Sequence, residues 1–138
     1  MSKLTMTKRA ADRGVAIIDL SGNITLGGGN IFLKQTLRSL AEQNEKRVLL
    51  NLSNVHYIDS SGLGELVAGY TAIGKAGGEL KLLNLTDRVR DLMMITKLLT
   101  VFDAYTDEAT AVATFKTDAT DFTTGPLDAT RVQVDAVL

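Results

Sequence analysis

Cysteine and tryptophan are absent from this 138-residue chain, and it holds one histidine and one proline. Without cysteine there can be no disulfide, no thiolate metal ligand and no cysteine nucleophile. A single histidine with scattered carboxylates gives no metal-ligand pattern, and no cofactor or metal is expected. Aromatic residues make up 5% of the chain and its net charge is −1. That leaves few platforms for stacked bases and no global field to draw nucleic acid, so none is expected as a direct partner. No apolar run approaches the ~20 residues of a membrane helix. Met1-Ser2-Lys3-Leu4-Thr5 lacks the apolar stretch of a signal peptide. A cytoplasmic protein is the expectation.

What is present is ordinary for one globular domain: 45% hydrophobic and 22% charged residues. The charge is uneven. Residues 117–138 hold four aspartates and one arginine, a net −3, which leaves +2 on residues 1–116. Leu4-Thr5-Met6-Thr7 alternates like a half-exposed strand, Ala11-Asp12-Arg13-Gly14 reads as a turn, and Val15 to Leu20 reads as a better buried strand. An opening antiparallel hairpin follows from these. Gly27-Gly28-Gly29 leads into a helix with Asn30 as its expected N-cap and Leu33, Leu37, Leu40 and Ala41 as its inner stripe. The glycines lack the lysine and hydroxyl residue of a P-loop, so a plain loop is the better reading.

Val48-Leu49-Leu50-Asn51-Leu52 is a short apolar run of the kind buried on both faces of a sheet. From Leu63 the period changes, and Leu63, Leu66, Val67, Tyr70 and Ile73 mark one face of a helix that Gly77-Gly78 ends. Asp59, Ser60 and Ser61 therefore sit at a strand-to-helix turn, where short oxygen-bearing side chains cap free amides. The helix is expected to begin between Ser60 and Gly62. Leu80 to Leu85 is a further strand. A short helix opened by Thr86 follows, with Val89, Leu92 and Met93 inward and Arg88, Arg90 and Met94 nearer the surface. Val101 to Tyr105 reads as a fifth strand and Thr106 to about Phe115 as a last helix. A hairpin followed by this alternation predicts an α/β fold, a mixed sheet with about four packed helices.

Val48 to Leu52 followed by Ile58-Asp59-Ser60-Ser61-Gly62-Leu63-Gly64 resembles the signature of STAS domains, and among them the bacterial anti-anti-sigma factors. The register extends to Gly22-Asn23-Ile24-Thr25, Gly77-Gly78-Glu79-Leu80 and Val89-Arg90-Asp91-Leu92, and covers about Lys3 to Phe115. The resemblance implies a non-enzymatic, phosphorylation-switched antagonist. It would bind an anti-sigma serine kinase while Ser60 is unphosphorylated, and so release a sigma factor. Ser60 stands where family members are phosphorylated, with Ser61 the second choice. The implied partner contacts are Asp59, Ser61, Gly62, Leu63, Gly64 and Thr25. Asp59 reads either as a cap or as a group orienting the Ser60 hydroxyl. Scaffolding within a larger assembly, such as a stressosome or a lipid-transport complex, is the alternative, and weak nucleotide binding is a third.

Two positions depart from the family pattern. Lys97 stands where members often carry glycine, so that helix end must differ or accept left-handed strain. Thr25 stands where many antagonists carry an acid, which withdraws support for a nucleotide-linked role resting on that acid. A serine hydrolase fits poorly. The elbow pattern needs glycines two before and two after its serine, and Ser60 has Ile58 and Gly62 there. Ser61 has Asp59 and Leu63, and the only histidine, His56, lies on the same strand end. Met94 with Leu98 offers either a partner surface or edge-of-core packing. Residues 1–116 are thus expected to form the STAS domain and 117–138 an extension. Its 117–130 stretch has loop composition, and Val132, Val134, Ala136 and Leu138 alternate like a strand. That strand would pair with an open sheet edge of the same molecule or of a neighbour, the latter giving a homodimer.

Overall fold

A computed structural model describes residues 3–116. The expectations for the 117–138 extension, including its strand and homodimer contact, lie outside the described residues. Five strands form one sheet in the order β1 (Thr5–Ala10), β2 (Ala16–Ile24), β3 (Arg47–Ile58), β4 (Glu79–Leu83) and β5 (Ala104–Tyr105). The first pair is an antiparallel hairpin, and the remaining pairs are parallel. Four helices occur among the described residues: α1 (Gly29–Glu42), α2 (Ser60–Lys75), α3 (Asp87–Ile95) and α4 (Glu108–Ala113). This is the mixed α/β architecture that the alternation of elements predicts.

The period-2 alternation of the central strands sends side chains to two cores. Ile18 and Leu20 of β2, Val48, Leu50 and Leu52 of β3, and Leu80 and Leu82 of β4 face α1, α2 and α3. They meet Leu33, Leu37 and Leu40 of α1, Leu63, Leu66 and Ile73 of α2, and Val89 and Met93 of α3. Val15, Ile17, Leu49 and Leu83 face the other way, onto Ala111, Val112 and Phe115. Each fully buried Val, Leu, Ile, Met or Phe among them contributes roughly 1.5–3 kcal/mol. The six-residue α4 is too short to hold itself together in water, so its shape comes from docking. Lys81, buried beneath it, donates to the Thr114 carbonyl and hydroxyl at 3.2 and 3.0 Å and lies over the Phe115 ring at 5.0 Å. Arg9 adds an exposed bridge to Asp19 and Glu108, worth at most about 1 kcal/mol.

Several boundaries differ from the sequence reading. β3 runs past Leu52 to Ile58; beyond Asn51 it pairs with β2 alone, through two register shifts that absorb its polar residues. Asn30 lies inside α1, whose N-cap is Gly28. Gly29 packs so tightly that a Cβ there would sit 2.2 Å from the Asn23 carbonyl oxygen, and the helix starts two residues earlier than expected. Val101 to Asp103 stay outside β5, which is only two residues long. Thr86 is the N-cap of α3, but its hydroxyl donates to the Val55 carbonyl at 3.0 Å instead of accepting from an amide.

After α3 the chain turns through Lys97, held in the left-handed region at φ 66°. An L-residue pays roughly 1–2 kcal/mol there, part of which glycine returns as unfolded-state entropy. Lys97→Gly is expected to raise stability by about 0.5–1 kcal/mol, read as a higher urea midpoint. An unchanged or lower midpoint would show that the turn is not strained.

Candidate functional site

Because β2, β3 and β4 run parallel, the segments that follow them emerge at one edge of the sheet, where open α/β folds place their sites. The extended pairing of β2 with β3 brings Ile24 opposite Ile58. The loop after β2 therefore meets the turn after β3, and the Asp59 amide donates to the Ile24 carbonyl at 3.2 Å. Asp59 is the N-cap of α2, in extended backbone conformation. Oδ1 accepts from the Gly62 amide at 3.0 Å and the Ser61 hydroxyl at 2.5 Å, and Oδ2 accepts from the Leu26 amide at 2.9 Å. These donors hold the carboxyl below its ordinary range: the Ser61 hydroxyl first, then the Leu26 amide and, against a small cost of burial, the Gly62 amide.

The two serines are thereby separated in role. Ser61 is half-buried and tied to Asp59, whereas Ser60, the first residue of α2, is exposed. The Ser60 hydroxyl makes no hydrogen bond among the described residues. Asp59 therefore caps the helix and orients Ser61, and does not orient Ser60. An N-cap carboxylate faces the second and third residues of its helix, and the first projects away from it. Gly62 and Leu63 are buried beneath the turn, and Gly64, the fifth residue of α2, is exposed. Thr25, half-buried, leads into the loop that Asp59 anchors, and its carbonyl accepts from the Asn30 amide at 3.0 Å.

Ser60 lies in a shallow cleft of about 360 Å³ with Tyr57, Ile58, Asp59, Arg88, Asp91, Leu92 and Ile95. The Arg88 guanidinium rests over the Tyr57 ring at 5.5 Å. Leu26 is 77% exposed on one side of the turn and Ile95 is 76% exposed on the other. Met94 is also exposed, whereas Leu98 packs against the core, which divides the expected pair. His56 is exposed on β3 and does not line the cleft. The sequence pattern puts Arg88 near the surface and does not link it to Ser60. The signal that joins them is topological, since the start of α3 and the end of β3 share one edge of the sheet.

The STAS domain model matches residues 8–111. The chain belongs to the STAS domain family. It is 36% identical over 86 residues to an anti-sigma-B factor antagonist of Bacillus subtilis, covering 62% of this chain and 77% of that one. It is 28% identical over 100 residues to an anti-sigma F factor antagonist of Paenibacillus polymyxa, covering 72% and 86%. Among solved structures, an anti-sigma factor antagonist from Mycobacterium paratuberculosis shares the fold with a TM-score of 0.71 at 24% identity, over 80% of this chain and 92% of that one. No described helix is long and apolar enough to cross a membrane.

Two substitutions separate structural tightness from helix propensity. A Cβ on Gly62 would lie 2.3 Å from the Ile24 carbonyl oxygen, whereas one on Gly64 meets nothing within 4 Å. Gly62→Ala is expected to cost about 1–3 kcal/mol and Gly64→Ala to gain up to about 1 kcal/mol, both by urea unfolding. The same sign for both would contradict the packing described.

Asp59→Ala should cost about 1–2 kcal/mol at neutral pH. The folded carboxyl titrates below its unfolded value, so its contribution is complete above the unfolded value and is lost as pH falls through the folded one. The gap between wild type and Asp59→Ala should therefore narrow below about pH 4. A gap that stays constant down to strongly acidic pH would mean that the carboxylate charge contributes nothing.

Proposed function

We propose that this protein is an anti-sigma factor antagonist switched by phosphorylation of Ser60. In this reading it binds an anti-sigma serine kinase in the cytoplasm while Ser60 is unmodified, and it catalyses no reaction itself. The carrying observation is the freedom of the Ser60 hydroxyl beside an otherwise fully engaged cap. The names of the relatives, and the family's use of the matching serine, support the same reading. Ser61, bound to Asp59, is the weaker acceptor.

The surroundings explain how one phosphate would act as a switch. Leu26, Tyr57 and Ile95 offer exposed apolar area around the serine. Asp59, Ser61 and Gly64, with Gly62 and Leu63 beneath them and Thr25 alongside, shape the turn a partner would read. Within the free protein a phosphate at the start of α2 is tolerable, since the helix dipole favours an anion by roughly 0.3–1 kcal/mol although Asp59 repels it. Buried against a partner without a paired cation, the same dianion costs several kcal/mol. Phosphorylation should therefore leave the fold intact and end binding.

Affinities measured by titration calorimetry against an anti-sigma kinase test this. Ser60→Asp is expected to keep the fold and lose about tenfold or more in affinity, which corresponds to 1.4 kcal/mol. Ser60→Ala should bind as wild type does and remain bound in the presence of ATP. Equal affinity for Ser60→Asp and wild type would rule the switch out.

A further inference from the structure

We propose that Arg88 is a built-in counter-ion for phosphoserine at position 60, leaving the Tyr57 ring on phosphorylation and pairing with the phosphate across the cleft. The inference rests on the reading of Ser60 as phosphoacceptor and adds a regulatory residue to it. In that step Ser60 Oγ forms a bond to the terminal phosphorus of a nucleoside triphosphate and loses its proton to a base or to solvent. The nucleoside diphosphate leaves.

Arg88 is the single cation lining the Ser60 cleft. It makes no ion pair and no side-chain hydrogen bond among the described residues, and its one recorded contact is the stacked Tyr57 ring. A guanidinium on an aromatic face keeps its five N–H donors available. The ring thus holds the group at the cleft, poised without being used. Arg88 also stands in the first turn of α3, where a cation opposes the helix dipole and gains from an arriving anion.

The carboxylates nearby do not compete strongly. Both oxygens of Asp59 are taken by Leu26, Ser61 and Gly62. Asp91 lines the cleft one turn further along α3 and forms no ion pair with Arg88. A phosphate differs in kind from either. It offers three acceptor oxygens and a charge of about −1.5 to −2, and a guanidinium binds such a group through two parallel charge-assisted bonds. Exchange of the ring for the phosphate is then favoured, and the modified serine is held against α3.

The full chain carrying phosphoserine installed at position 60 during translation provides the test, with no kinase in the measurement. The second ionisation of the phosphate is followed by ³¹P NMR over pH 4–8, starting from an ordinary value of about 6. Removing an exposed pairing cation with Arg88→Gln should raise that value by about half a unit. Arg88→Lys, which keeps the charge, should restore part of the shift. Tyr57 ring resonances should move on phosphorylation in wild type and stay still in Arg88→Gln. Superimposable titrations for wild type and Arg88→Gln would overturn the counter-ion and leave the functional reading standing. Absence of kinase-driven phosphorylation at Ser60 would instead remove the functional reading without altering these titrations.

Discussion

One carboxylate fixes the geometry on which the candidate site depends. Asp59 joins the loop after β2 to the start of α2 by accepting from Leu26, Ser61 and Gly62 at once. With both oxygens engaged, it makes no hydrogen bond to the Ser60 hydroxyl in this structure. Ser60 is left as the exposed hydroxyl of the turn, and Ser61 becomes part of its scaffold. A cap worth about 1 kcal/mol thus engages one of two adjacent serines and leaves the other's hydroxyl exposed and unbonded.

That cap requires the sheet beneath it. The first half of β3 is buried on both faces, and its pairing with β2 continues as far as Ile58, where the chain turns. Gly62 lets α2 start against the Ile24 backbone with no room for a side chain. The parallel strands gather three connections at one edge, so the serine turn, the Thr25 loop and the first turn of α3 become neighbours although they lie far apart in sequence. The Thr86 hydroxyl, bonded to Val55, fixes the third of these.

Much of this was legible from residue pattern. The unbroken apolar run at Val48 to Leu52, the change to helical spacing at Leu63 and the short polar residues between them located the turn and the start of α2. At Lys97 the departure from the family's glycine left two outcomes open, a different helix end or left-handed strain, and the structure shows the second. The far half of β3 was not legible, because its alternation is broken by register shifts and by Ser53, Asn54 and His56 facing solvent. The α1 cap lies at Gly28 instead of Asn30; the close approach of Gly29 to the Asn23 backbone, invisible in the sequence, has room only for glycine. The role of Asp59 stayed open for a similar reason, since its third donor, the Leu26 amide, is 33 residues away. Residue pattern places Arg88 at the surface but does not link it to Ser60, because only the topology brings the two together.

The proposed switch rests on the cap, the free hydroxyl and the exposed apolar surroundings: a partner covering this surface would accept a serine and reject a phosphate. Intact-mass and peptide mass spectrometry after incubation with an anti-sigma kinase and ATP test this most directly. A single phosphate mapped to Ser60, absent from Ser60→Ala, is the predicted result. A phosphate on Ser61 or elsewhere in the wild-type chain, or continued modification of Ser60→Ala, would contradict it.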